Sequence, residues 1–334
     1  MNDHVYSHTM KAMLWTRYGP PEAFDLAEIE RPEPGPGELL IRNRASTVTA
    51  GDGEIRRMDL APYFALPLRF YFGIFRPRRR VLGQELAGVV EDVGPGVTRF
   101  KVGDEILALP GFKFGAYAQY CVLPEDAEDV VLTPKPTKWD FANATTLPFG
   151  GVEALQFLEK ADIQAGQTVL INGAGGSIGT YAIQIAKHMG AEITAVDSAE
   201  KLAMLEKIGA AHTIDYRQQD YTDLGQQFDV IFDVVGSARF TDALRALRPG
   251  GFLLNANPKL GFMLRAAIAR ARGLRTYFSA SESKAPYLPK VVRLAEDGVL
   301  EAVIDRRYPL EELAAAHHYV DSGAKAGHVV IEID

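Results

Sequence analysis

The run Asn172-Gly173-Ala174-Gly175-Gly176-Ser177-Ile178-Gly179 follows the apolar segment TVLING (168–173) and opens a stretch of helical spacing. In that stretch Ile178, Ala182, Ile185, Ala186 and Met189 share one stripe. Glycines at such a turn permit positive φ and let the backbone approach a pyrophosphate closely. The helix start beyond supplies free N–H groups and a partial positive charge. A Gly-x-Gly-x-x-Gly frame begun at Gly173 fails at Ile178, and the frame ending at Gly179 has Gly176 in the middle but Ala174 first. The run is therefore a near match to a dinucleotide turn; the alternative is a Gly-rich turn needed only for tight strand–helix packing. Asp197 closes the next strand about 20 residues on, where an acid commonly holds the ribose hydroxyls. The expected cofactor contacts are Gly173, Gly175, Gly176, Ser177, Ile178, Gly179 and Asp197, joined by Ser198, Lys201 and Tyr216. Asp197 repels a 2′-phosphate and favours NAD(H), whereas Lys201 with the hydroxyls of Ser198 and Tyr216 suits NADP(H); both readings stand.

Residues of this kind need a sheet to hold them. EITAVD (192–197), HTID (212–215), DVIFDVV (229–235) and GGFLLNA (250–256) read as strands, and AEKLAMLEKI (199–208) and FTDALRAL (240–247) as helices. The alternation predicts a parallel, doubly wound sheet whose central strands are nearly continuous apolar runs. The N-terminal third reads as β-rich over 11–16, 38–48, 86–93 and 104–109, punctuated by PEPGPGE and GPGV, without a strong helical segment. The C-terminal part predicts a helix (287–297), a short β-segment (299–304), a helix (311–321) and a strand (328–333).

The chain has 334 residues, enough for about two domains, and is 47% hydrophobic and 24% charged, the balance of a soluble globular protein. Its single cysteine, Cys121, excludes a disulfide framework, a Cys-rich zinc lobe and a four-cysteine iron–sulfur site. A formal charge of -7 argues against a nucleic-acid partner. MNDHVYSHT (1–9) lacks the apolar core of a secretory signal, and the most apolar stretch, 63–75, is broken by Pro67 and Arg69 and too short to span a bilayer. The expectation is a cytoplasmic protein with no membrane and no nucleic-acid partner.

From residue 10 to 334 the chain resembles the medium-chain dehydrogenase/reductase superfamily, in its zinc-independent quinone oxidoreductase-like branch. The segments that carry the resemblance include RPEPGPGELLIRNRAS (31–46), VLGQELAGVVEDVGPGVTRFKVGDEI (81–106), GAYAQYCVLPE (115–125), NGAGGSIGTYAIQIAKHMGA (172–191), DVIFDVVG (229–236) and LRPGGFLL (247–254). It implies a chaperonin-10-like (GroES-like) β-rich catalytic domain, 1–136 and 286–334, interrupted by a Rossmann dinucleotide-binding domain, 137–285. It also implies a homodimer, and it adds Val235 and Gly236 to the cofactor contacts.

Zinc-dependent relatives carry Gly-His-Glu-x-x-Gly where this chain has Gly83-Gln84-Glu85-Leu86-Ala87-Gly88, so Gln84 replaces the His ligand. The early Cys ligand is absent near Thr47, the stretch 95–115 holds no Cys, and Cys121 stands where relatives carry an aliphatic residue. The resemblance thus implies no zinc, since catalytic zinc takes three protein ligands. Of the scattered histidines, His317 and His318 are expected to pack or face solvent, and His328 stands where relatives carry a basic residue near the cofactor.

Hydride transfer without a metal needs a hydrogen-bond donor for the oxygen that gains charge. Residues 47–52 (TVTAGD) match the family's active-site loop: Thr49 could donate, and Asp52 would orient the loop, although both also suit an ordinary turn. Tyr63, in the aromatic stretch 63–75, is a candidate proton donor; the stretch reads equally as a hydrophobic lid or a dimer contact. RPRRR (76–80) reads as a solvated loop or a site for an anionic substrate group such as a CoA phosphate. The function expected is zinc-independent, NAD(P)H-dependent reduction of a small quinone or α,β-unsaturated carbonyl. An enoyl-thioester reductase and a non-catalytic NADPH-binding structural or regulatory protein are the rivals.

Overall fold

A computed structural model describes residues 8–60, 62–78, 80–237, 239–271, 273–278 and 283–334, without the side chains of residues 62–64. By its contacts the chain divides into one unit of Met1–Phe149 with Ile304–Asp334 and a second of Gly150–Val303.

The first unit is built from β1 (Thr9–Trp15), β2 (Phe24–Glu30), β3 (Glu38–Val48), α1 (Ala50–Arg57), α2 (Pro62–Phe72), β4 (Leu86–Val93), β5 (Glu105–Leu109), β6 (Tyr120–Pro124), β7 (Val131–Pro134) and α3 (Phe141–Ala144). β3 is the hub: it pairs antiparallel with β4 and with β6, so most of its side chains are buried. Two helices interrupt the expected run of strands. α1 forms because Thr49 and Asp52 cap it reciprocally, and it ends at Met58 in the left-handed region (φ 53°). Gly51 and Gly53 hide it from a periodicity reading. α2 is apolar apart from Arg69 and contains Pro67, so it shows no amphipathic period.

The second unit runs α4 (Val152–Ala161), β8 (Thr168–Asn172), α5 (Ser177–His188), β9 (Glu192–Asp197), α6 (Ala199–Ile208), β10 (His212–Asp215), β11 (Phe228–Asp233), α7 (Phe240–Arg245), β12 (Leu247–Asn255), α8 (Leu260–Arg270), β13 (Arg275–Tyr277) and α9 (Leu288–Glu296). Its strands lie in the order β10-β9-β8-β11-β12-β13, all parallel. In order of appearance that is 3-2-1-4-5-6, the doubly wound dinucleotide-binding order, and the direction of winding reverses between β8 and β11. Leu170, Phe228, Ile231 and Leu253 fill one side of this sheet.

The chain then returns to the first unit through β14 (Ile304–Pro309), α10 (Leu313–Asp321) and β15 (His328–Glu332). β15 pairs parallel with β14 and antiparallel with β3, which closes a seven-stranded sheet. α10 packs Leu313, Ala316 and Val320 into a core with Trp15, Phe72 and Tyr117. The strand expected over 299–304 starts only at Ile304. The Gln184 side-chain amide takes both the N–H and the C=O of Glu301, at 2.7 and 3.1 Å, in place of a strand ladder. The expected α/β class, a β-rich unit plus a doubly wound parallel sheet, is the class observed.

Candidate functional site

At the carboxyl end of β8 the chain turns through Gly173, whose φ of 82° belongs to the left-handed region. The amides of Gly173 and Ala174 donate to Val196 O at 3.0 and 3.1 Å and tie the turn to β9. The left-handed residue is therefore Gly173 rather than the first slot of the Gly-x-Gly-x-x-Gly frame, which explains how Ala174 stands in that slot. The last slot packs: a Cβ on Gly179 would lie 2.5 Å from the carbonyl oxygens of Gly173 and Ala174. The middle slot opens outward: a Cβ on Gly176 would meet only Gly173 O, at 3.7 Å. Gly176 N-caps α5, whose first turn begins Ser177, Ile178, Gly179 and presents the amide groups that a helix start leaves without intrahelical partners. This open, electropositive cradle fits a pyrophosphate.

Beside it, Asp197 is buried and its carboxylate is already occupied. It accepts from the amides of Gly175 (2.7 Å) and Ser198 (2.9 Å) and pairs with Lys201 Nζ (3.1 Å). Ser198 N-caps α6, and Tyr216 stands exposed past the end of β10, with its amide donating to Asp197 O at 3.2 Å. Arg217 lays its guanidinium 5.7 Å from the Tyr216 ring and pairs with Glu200 at 2.8 Å. Sequence reading passed over Arg217. Across the switch point, Val235 sits against Gly173, where a Cβ would lie 2.3 Å from Val235 Cγ2, and Gly236 (φ 70°) donates to Asp233 Oδ1 at 2.9 Å. The fully buried Asp233 also accepts from Asn172 Nδ2 at 2.9 Å, which clips the ends of β8 and β11 together. That clip had a signal in the sequence: Asn172, Asp197, Asp233 and Asn255 each end an apolar strand with a short polar residue.

The first unit gathers a second cluster. Thr49 Oγ1 donates to Asp52 Oδ2 at 2.6 Å and accepts from the Asp52 amide at 3.2 Å, while the Thr49 amide donates to Asp52 Oδ2 at 2.9 Å. Asp52 is buried, and desolvation raises its carboxyl above the ordinary range against the opposing hydrogen bonds from Thr49. Glu85 accepts from the Thr47 hydroxyl and, at 2.7 Å, from the Phe149 amide. A Cβ on Gly51 would lie 3.2 Å from Gln84 Nε2, so the segments 47–52 and 83–88 face each other. Tyr117, which the sequence did not single out, donates to Thr47 O at 2.9 Å. Burial, then the charges of Asp52 and Glu85, pushes its phenol far up. The side chain of Tyr63 lies outside the described residues.

His317 lies beneath this cluster, its ring 4.8 Å from Phe24 and 5.8 Å from Tyr117. Burial, and next the charge of Arg56, lower its pKa to about 3. Arg56, also fully buried, donates to Gly19 O at 3.0 Å and pairs with Asp321 at 2.5 Å, locking α1 to α10. His318 is exposed and pairs with Glu22 at 2.7 Å, and His328 is buried at the start of β15. Cys121 is buried in β6, where desolvation raises its thiol to about 12, a structural thiol rather than a reactive one. Among the described residues no group of three or more His, Cys, Asp or Glu is placed to hold a metal, and no helix is long and apolar enough to cross a membrane.

Residues 35–135 match a family model described as an alcohol dehydrogenase GroES-like domain, and residues 208–331 match one described as a zinc-binding dehydrogenase. A quinone oxidoreductase of Pseudomonas aeruginosa is 30% identical over 96% of this chain and 99% of its own length. A chloroplastic NADPH-dependent alkenal/one oxidoreductase of Arabidopsis thaliana is 30% identical over 96% of this chain and 79% of its own. The solved quinone oxidoreductase of Coxiella burnetii superposes with a TM-score of 0.86 at 26% identity, covering 98% of this chain and all of that one.

Proposed function

This chain belongs to the medium-chain dehydrogenase/reductase superfamily, in its quinone oxidoreductase-like branch, and on that premise we propose that it reduces quinones or α,β-unsaturated carbonyls with NADPH. The observation that carries the proposal is the open position in front of Gly176, at the start of α5 and at the switch point of the sheet. A dinucleotide whose pyrophosphate is held there would supply the hydride from its nicotinamide; the chain's residues bind, orient and manage charge.

Gly173, Gly176 and the first turn of α5 hold the pyrophosphate. Gly175, Ser177, Ile178 and Gly179 shape that turn, and Val235 and Gly236 wall it. NADPH is preferred over NADH because Lys201 already neutralises Asp197, whose carboxylate is taken up by the amides of Gly175 and Ser198. The usual objection to a 2′-phosphate is thereby removed, and Lys201, Ser198, Tyr216 and Arg217 supply donors for it.

In the other unit, Thr49 is the donor to the substrate oxygen that gains negative charge. In the structure its single hydroxyl proton points at Asp52. Burial favours the protonated form of Asp52. A protonated Asp52 donates to Thr49 Oγ1 and frees the Thr49 proton for the substrate, so Asp52 serves as a positioning residue that sets the direction of one hydroxyl. Reduction is the favoured direction, because removing an alcohol proton calls for a metal-bound oxygen or a strong base. Gln84 stands at the metal-ligand position, and catalysis is proposed to proceed without zinc. The test is NADPH oxidation against a panel of quinones and enones before and after chelator treatment. Turnover unaffected by the chelator supports the reading; binding of NADPH with no turnover across the panel makes the chain a nucleotide-binding protein instead.

A further inference from the structure

The function above leaves unused the most apolar and most basic segment of the chain. Residues 62–80 contain five arginines and no acid, in a chain of formal charge -7. α2 turns Ala65, Leu68 and Phe72 toward the core of the first unit. Its other face does not follow suit: Leu66 is 62% and Phe70 61% exposed, and Tyr71 and Ile74 are exposed beside them. A helix apolar on both faces is ordinarily buried on both. The helix ends in a closed loop rather than a trailing strand of chain. The Gly73 amide donates to Arg69 O at 2.9 Å and the Arg78 amide to Phe72 O at 2.6 Å, while Pro77 is buried. At the tip stands Phe75, 93% exposed, the most exposed large apolar residue described. Arg76, Arg78 and Arg80 follow it in the chain, all exposed and none paired with a described carboxylate.

We infer that this face docks on an anionic phospholipid bilayer surface, with Phe75 and the outer face of α2 in the headgroup–acyl boundary and the arginines on lipid phosphates. An exposed apolar residue held in a hydrogen-bonded loop and followed by exposed arginines is the pattern of interfacial attachment, with the apolar group entering the boundary and the cations meeting lipid phosphates. A second copy of the chain fits less well, since a two-fold contact brings together two copies of a segment that carries five arginines and no acid. Single-stranded nucleic acid fits poorly as well, since Leu66 and Ile74 give bases nothing to stack on. This departs from the expectation of no membrane partner; that no described helix is long and apolar enough to cross a membrane does not bear on surface attachment.

The full chain is tested by co-sedimentation with vesicles of phosphatidylcholine alone and of phosphatidylcholine mixed with phosphatidylglycerol. Binding should be at least about tenfold stronger to the anionic vesicles and should fall with added salt. Phe75→Ser, and separately Arg76→Glu with Arg78→Glu, should each weaken it by about tenfold or more, leaving NADPH affinity and circular dichroism unchanged. Equal binding to neutral vesicles, or full binding by both variants, overturns the inference. So does a Phe75→Ser variant that turns a dimer into a monomer while the wild type ignores vesicles, since the face is then a contact between copies.

Discussion

Acidification should loosen the first unit through one side chain, His317. In the folded chain its pKa is about 3, because burial and the facing Arg56, with Arg57 and His318 behind it, oppose a positive ring; Asp321 is the counter-charge that favours one. In the unfolded chain it returns to 6.5. The unfolded state therefore takes up the proton first. The stability that neutral His317 contributes is complete above pH 6.5 and is lost progressively as the pH falls toward 3. Between about pH 8 and about pH 5 the difference amounts to ~2 kcal/mol. The comparison is with His317→Phe, which keeps a ring against Phe24 and Tyr117 but has nothing to titrate. Both tryptophans, Trp15 and Trp139, lie in the first unit, so urea titrations read by tryptophan fluorescence report on that unit. All other titrating groups are shared and cancel. The wild type should lose ~2 kcal/mol more than the variant over that pH range. Equal losses would refute the reasoning and mean that the buried ring takes its proton with Asp321 as partner.

Gly176→Val should leave the fold intact yet abolish NADPH binding by calorimetry, whereas Gly179→Ala, whose Cβ would lie 2.5 Å from two carbonyl oxygens, should lower thermal stability itself. Lys201→Ala should weaken NADPH by about tenfold or more and NADH little, since a charge-assisted contact to the 2′-phosphate is lost and Asp197 is left uncompensated. Wild-type kcat should fall as the pH rises through the raised pKa of Asp52. Asp52→Asn, whose amide donates to Thr49 Oγ1 at every pH, should keep kcat and lose that fall; a variant with the wild-type profile would remove Asp52 from the account.

The nucleotide-binding half was legible because each of its parts carries its own signal. Val169, Leu170 and Ile171 make a short β-branched and apolar run that reads as a buried strand before the Gly-rich turn, and Ile178 to Met189 make one helical stripe after it. What stayed hidden depends on partners distant in sequence. α1, whose local cap of Thr49 and Asp52 is masked by Gly51 and Gly53, is held by the Arg56–Asp321 lock to α10. β13 is three residues long and exists by pairing with β12. Residues 299–303 read as a strand until the Gln184 side chain claims the Glu301 backbone. At the site, the residue types of the cofactor turn could be read in order, but the occupation of Asp197 by Gly175, Ser198 and Lys201 could not, and it is that occupation which tips the choice of cofactor.

The central claim, an NADPH-dependent reductase, is tested most directly by titrating the purified chain with NADPH and NADH and then following consumption of each with a quinone and with an enone. The account predicts tighter binding of NADPH and its consumption upon addition of acceptor. Tighter binding of NADH, or a bound NADPH that no acceptor oxidises, would contradict it.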